Sequence, residues 1–234
     1  MPDNRPDALA QVRFRKHAAT MEALSLPERF RYIFVHNLWG GDESLSGLGS
    51  SLAETDVLRR EIPRLLSAVE ARTLLDIPCG DLRWLSQIDF NIDYTGADIV
   101  PELVERNQRT YGRPRRRFLR LDLTRDELPQ ADVVLCRDCF VHLSFANIFR
   151  ALVNLQRSGS TYLLTTTFPD AKENLDIQDG DWRTLNFTLP PFSFPEPLTQ
   201  IVEGCQEAGG AYADKSLALW EIPKLGAFIS AASG

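Results

Sequence analysis

The segment Thr73-Leu74-Leu75-Asp76-Ile77-Pro78-Cys79-Gly80-Asp81 constrains the fold of this chain more than any other. An apolar β-run drops into an acidic turn that contains glycine. A second run, Tyr94-Thr95-Gly96-Ala97-Asp98, also ends on an acid. In α/β folds, a strand-turn-helix unit with an acid at the tip of the next strand holds a nucleoside. The turn lets backbone N–H groups approach the ligand, and the second acid grips ribose hydroxyls.

The rhythm around these segments supports such a fold. Strands are predicted at Thr73–Ile77, Tyr94–Asp98, Arg117–Leu121, Val133–Arg137 and Thr161–Thr166. Pro101–Tyr111 reads as a helix with proline at its first position. Ser144–Gln156 reads as a capped helix that buries Ile148, Leu152 and Leu155. Short apolar strands separated by helices predict a mostly parallel sheet covered on both faces.

The two ends depart from that pattern. Residues up to about Leu66 read as helical, with Leu26–Phe34 as one helix. Trp39–Ser51 breaks all periodicity as a Gly/Ser loop. Ser51-Leu52-Ala53-Glu54 has capping-box spacing, so the next helix is predicted to start at Ser51. Pro190, Pro191, Pro195 and Pro197 deny a long helix to the segment after Asp170. Leu198–Glu203 and Leu217–Ile222 read as strands of a terminal hairpin that adds an antiparallel strand to the sheet.

A chain of 234 residues favours a single domain. The net charge of −6 argues against nucleic acid as a partner. The one basic cluster, Arg113–Arg117, reads as a solvated loop. The N-terminus opens with charge and proline, and no stretch approaches the ~18 apolar residues of a membrane span. The expectation is a cytoplasmic protein that engages neither membrane nor nucleic acid. Cys136-x-x-Cys139 has no second pair to complete a zinc site, and Cys136 falls within a strand. No metal site is expected, and the thiols read as small hydrophobes.

Asp76–Asp81, Asp98, Leu121-Asp122-Leu123 and Val133–Asp138 follow in an order that resembles the class I S-adenosylmethionine-dependent methyltransferases. The resemblance covers about Thr73 to Thr167, and the terminal hairpin loosely. It implies an α/β, Rossmann-like, doubly wound fold with a seven-stranded, mostly parallel sheet and an antiparallel C-terminal strand, plus N-terminal helices. It implies one methyltransferase domain over 1–234, with a helical cap and lid in 1–70 and a cofactor-binding core in 71–234 that carries a substrate loop at 168–197. Pro78 and Leu82 stand where the family commonly has glycine. A dinucleotide would need three glycines in this turn, and Asp81 would repel its pyrophosphate.

By that resemblance the cofactor is S-adenosyl-L-methionine. Asp98 would accept both ribose hydroxyls, with Ile99 beside it. Asp122 would accept from the adenine amino group, and Leu123 would offer its N–H. Asp76 and the turn Pro78, Cys79, Gly80 and Asp81 would lie under the methionine moiety, with Asp81 near its cationic end. Arg137 would contribute its carbonyl. Asp122 has a second reading as a plain turn acid.

Methyl transfer from a sulfonium needs alignment more than powerful chemistry. His142 is the candidate base and Asp138 its orienter or the holder of an amine, both following the fourth strand. His142 packing structurally against the next helix is the competing view. Trp39 and Ser50 on the lid, with Phe168, Asp181, Trp182 and Asn186 after the fifth strand, are candidates for binding a small polar substrate. The expected activity is methyl transfer to oxygen or nitrogen of a secondary metabolite, sugar or amino-acid derivative. An NAD(P)-dependent reductase and a non-catalytic nucleoside-binding module are the alternatives.

Overall fold

The computed structural model describes residues 5–226. Met1–Asn4, the start of the N-terminus read above, lies outside them. Seven strands form one sheet: β1 Thr73–Asp76, β2 Asp93–Asp98, β3 Arg116–Arg120, β4 Val133–Cys136, β5 Tyr162–Thr167, β6 Thr199–Val202 and β7 Ser216–Glu221. Their order is β3-β2-β1-β4-β5-β7-β6. The pairs among β1 to β5 are parallel, and β7 runs antiparallel to both of its neighbours. The Rossmann-like sheet with one reversed C-terminal strand is therefore the observed fold.

Consecutive side chains of each central strand point to opposite faces, so a strand buried on both sides must be apolar at every position. Leu75 and Val134 enter one core, and Leu74, Val133 and Leu135 enter the other. The first core is closed by α5 (Phe145–Arg157) through Ile148, Leu152 and Leu155. The second is closed by α3 (Asp56–Ala68) through Leu58, Ile62 and Leu66, and by Val104 of α4 (Pro101–Tyr111). Ahead of these, α1 (Leu9–Glu22) and α2 (Leu26–Val35) bury Phe14, Met21 and Ile33 in a separate small cluster.

One helix start differs from its capping-box signal. The helix α3 begins at Asp56, five residues later than predicted. Ser51 Oγ does accept the Glu54 N–H at 3.2 Å, but Thr55 Oγ1 donates to the Ser51 carbonyl at 2.7 Å and holds a separate turn. The Glu54 carboxylate accepts the distant Gln206 N–H at 3.1 Å, so it is spent on a tertiary contact.

The basic cluster is not a free loop. Arg116 and Arg117 belong to β3, Arg113 and Arg115 pair with Asp89 and Asp93, and the Arg116 guanidinium lies over the Tyr94 ring. The proline-rich segment packs Phe187, Phe192 and Phe194 against one another, and Phe187 and Phe194 also against Trp220. Cys136 is fully buried within β4, and all four cysteines are free thiols.

Candidate active site

Chain order reverses between β1 and β4, and the carboxyl ends of the strands open there onto one pocket, the usual place for a ligand in an open α/β sheet. The pocket is lined by Asp76, Pro78, Cys79, Gly80 and Asp81 after β1, and by Asp98 and Ile99 after β2. Asp122 and Leu123 after β3, and Arg137, Asp138 and His142 after β4, complete it. Leu26, Phe30, Phe34 and Trp39 cover it from the N-terminal region. Segments up to 116 residues apart in the chain thus meet at one sheet edge.

Asp98 is 4 % exposed. Its Oδ2 accepts the Gly80 N–H and its Oδ1 the Val100 N–H, each at 3.0 Å, so the acid is aimed at the turn. Burial pushes its carboxyl up to about 6, against those two N–H groups. Asp76 lies deeper, and the Tyr94 hydroxyl donates to it at 2.5 Å. Burial raises Asp76 to about 7; the Tyr94 bond opposes this and the Asp98 charge adds to it.

The turn itself is tight. Gly80 has φ +54°, and a Cβ there would meet Ser46 Oγ at 2.1 Å, so only glycine fits beneath the 39–51 loop. Leu82 adopts φ +59°. Its side chain is buried in the second core, which holds the left-handed backbone in place.

Raised buried carboxyls store a pH dependence. A folded-state value above the unfolded one adds stability that is complete below about 4 and lost as pH rises through about 7. Asp76→Asn keeps an acceptor for Tyr94 and removes the titration. The stability of this variant relative to the parent is expected to rise by a few kcal/mol between pH 4 and pH 8. Urea melts across that range measure it, and a flat difference would reject the assignment.

Residues 75–158 match the family model described as a methyltransferase domain. That segment is similar to a methyltransferase domain, and it contains β2 to β4 and α5. Among solved structures, the N-methyltransferase NodS from Bradyrhizobium japonicum WM9, in complex with S-adenosyl-L-homocysteine, is similar at 15% identity. That match covers 82% of this chain and 97% of NodS with a TM-score of 0.62. The methyltransferase domain of bacterial CtHen1-C is also 15% identical, over 73% of this chain and 98% of that one, with a TM-score of 0.54. At these identities the likeness is one of fold. No curated protein sequence matches the chain.

Within the pocket, several expected roles change. Asp81 is not free for a cationic tail. Its Oδ1 accepts Ser44 Oγ and the Arg83 N–H, both at 3.0 Å, and its Oδ2 accepts the Leu45 N–H at 2.8 Å. Ser46 Oγ in turn accepts the Asp81 N–H at 3.0 Å, so this acid latches the 39–51 loop onto the turn. Asp122 Oδ1 accepts the Thr124 N–H and hydroxyl at 2.8 and 2.6 Å, which is the turn geometry of the competing view. The carboxylate still lines the pocket.

Arg137 contributes far more than a carbonyl. Its buried guanidinium donates to Glu203 Oε2 at 2.6 Å and to the Gly49 carbonyl at 2.8 Å, pairs with Asp138 at 3.2 Å, and lies over Trp84. Lys215 Nζ sits 2.7 Å from Asp138 and 3.6 Å from Glu203. Asp138 is therefore not the orienter of His142. Burial alone would raise its carboxyl, but Arg137 and Lys215 hold it well below the usual carboxylate range. His142 Nδ1 instead lies 2.7 Å from the Asp181 carbonyl, which can only accept. The ring proton is thereby placed on Nδ1, and Nε2 keeps its lone pair. Burial lowers the imidazole to about 4, so it is neutral at pH 7, and Trp39 packs on it with ring centroids 4.9 Å apart.

A second pocket adjoins the first and shares Trp39, Ser46, Asp138 and His142 with it. Phe168 and Trp182 line it, together with Glu207, Tyr212 and Lys215, while Ser50 lines the first pocket. Asp181 acts through its backbone. Asn186 lines neither pocket: it bonds the Pro169, Ala171 and Asn174 groups that shape the loop. Arg183 likewise ties Phe140, Leu143 and Leu175 carbonyls together. Asp176 and Asp179 accept the Phe145 and Ser144 N–H groups at the start of α5. Glu203 and Lys215 at strand ends and Glu207 in the connection between β6 and β7 carried no sequence signal, because charges at such positions are ordinarily solvated.

Proposed function

We propose that this domain transfers a methyl group to oxygen or nitrogen of a small polar molecule bound in the second pocket. The carrying observation is that the two pockets meet at His142, whose Nε2 is left as an acceptor. The cofactor supplies an electrophilic methyl carbon on a sulfonium. Asp98 holds its ribose, Asp122 and Leu123 its adenine, and Gly80 with Ser46 and Ser50 faces its amino-acid end. The acceptor's O–H or N–H donates to His142 Nε2, which aims the lone pair and receives the proton where the acceptor must lose one. The latched 39–51 loop keeps water from the reacting atoms. The chain works as one unit, with 1–70 as cap and lid over the core.

Calorimetry with S-adenosylhomocysteine tests the cofactor assignment: binding is expected, and heat from NADH instead would sink it. Incubating cell extract with the protein and methyl-labelled cofactor, then finding the labelled compound by mass spectrometry, names the acceptor. A non-catalytic module would label nothing. His142→Ala is expected to lower labelling by roughly 10²-fold, the scale of losing a positioned proton acceptor. An undiminished rate would remove His142 from the mechanism.

A further inference from the structure

We propose that the second pocket takes an amine as its acceptor, bound as an ammonium ion with Glu207 as its counter-charge and Trp39 and Trp182 as its apolar walls, so that nitrogen is the methylated atom. This rests on the methyl-transfer reading above and narrows its acceptor.

The argument is one of charge balance. Beneath the pocket lie two cations and two acids in mutual contact. Arg137 pairs with Glu203 and Asp138, and Lys215 pairs with the same two. That group is neutral and has no charge left for an anionic substrate. Glu207 lies beside it: at Gly49, an added Cβ would sit 3.1 Å from Glu207 Oε1 and 3.2 Å from Lys215 Nζ. Yet no ion pair within 4.0 Å holds the Glu207 carboxylate among the described residues. Burial raises its carboxyl; the Lys215 charge opposes this, and the Asp138 and Glu54 charges add to it. These five groups together therefore carry one net negative charge in a partly desolvated place, which a cation offsets and a carboxylate worsens.

The walls suit the same ligand. Trp39 and Trp182 line the pocket, and aromatic faces attract cations. The neighbouring Phe168 and Tyr212 rings already carry the Arg5 guanidinium, 5.8 Å from each centroid, and Asp214 neutralises that arginine. An acceptor ammonium would give one proton to the Glu207 carboxylate and hydrogen-bond to His142 Nε2. Its freed lone pair then forms the N–C bond as the C–S bond breaks. The bonding pair goes to sulfur, which becomes a neutral thioether, and the positive charge ends on the methylated nitrogen.

Phenethylammonium, 2-phenylethanol and 3-phenylpropionate form a cationic, neutral and anionic set of similar size. Each is titrated into protein saturated with S-adenosylhomocysteine, and intrinsic fluorescence is followed. The ammonium is expected to bind at least about tenfold more tightly than the alcohol, with the carboxylate weakest. Glu207→Gln should erase the preference, and Glu207→Asp should restore part of it, with homocysteine-nucleoside affinity unchanged in both. Equal or tighter binding of the alcohol or the carboxylate, no ammonium binding, or a preference that survives Glu207→Gln would each overturn the proposal. Failure of S-adenosylhomocysteine to bind at all would instead strike the methyl-transfer reading.

Discussion

Glu203→Ala is expected to destabilise the protein by roughly 3–5 kcal/mol, because it strands a buried cation. Glu203 is 2 % exposed and accepts from Arg137 at 2.6 and 3.3 Å, while Lys215 lies 3.6 Å away. Without it, two buried cations share the single carboxylate of Asp138. For a domain of this size the loss is a fall of about 10 °C in Tm. The double variant Arg137→Met, Glu203→Leu should recover much of it. That pair of changes removes one charge of each sign and leaves Lys215 and Asp138 as a neutral couple. Thermal melts of the single and double variants measure the coupling. A Glu203→Ala protein as stable as its parent would show that the network is solvated and not the desolvated floor described above.

The second large effect is on binding. Asp98→Ala is expected to weaken S-adenosylhomocysteine by at least about 100-fold, since two charge-assisted hydrogen bonds to ribose are lost and each contributes about 1.5–3 kcal/mol. Asp98→Asn keeps an acceptor without the charge and should fall between alanine and the parent. Calorimetry at pH 8, above the raised value of about 6, reads the fully ionised site. Thermal stability without ligand should change little, because the buried charge is itself unfavourable and its removal offsets the lost contacts with Gly80 and Val100. Affinity within threefold of the parent in Asp98→Ala would remove the ribose from this acid.

The extent to which the site was legible follows from the range of each interaction. Asp76, Gly80 and Asp98 were legible because each ends a strand whose neighbours are apolar, and register places strand ends together. His142 was legible as a residue leaving β4, but its partner was not. The Asp181 carbonyl reaches it only because the 168–197 segment folds back over α5. Asp138 lies four residues from His142 and looked like the orienter. Arg137 and Lys215 claim it instead, and Lys215 is 77 residues distant along the chain. Asn186 looked like a ligand-binding group because it is polar, yet its amide satisfies carbonyls within an irregular loop.

The sequence by itself determined the sheet, its two covered faces and the acids at its carboxyl edge, because apolar periodicity and turn chemistry are local. Only the tertiary structure decided what those acids and the surrounding charges do. A carboxylate that latches a loop, as Asp81 does, and one open to a ligand have the same local sequence. The difference lies in which distant donor arrives first. The same holds for Glu207, which has no ion pair among the described residues because Arg137, Lys215, Asp138 and Glu203 have satisfied one another.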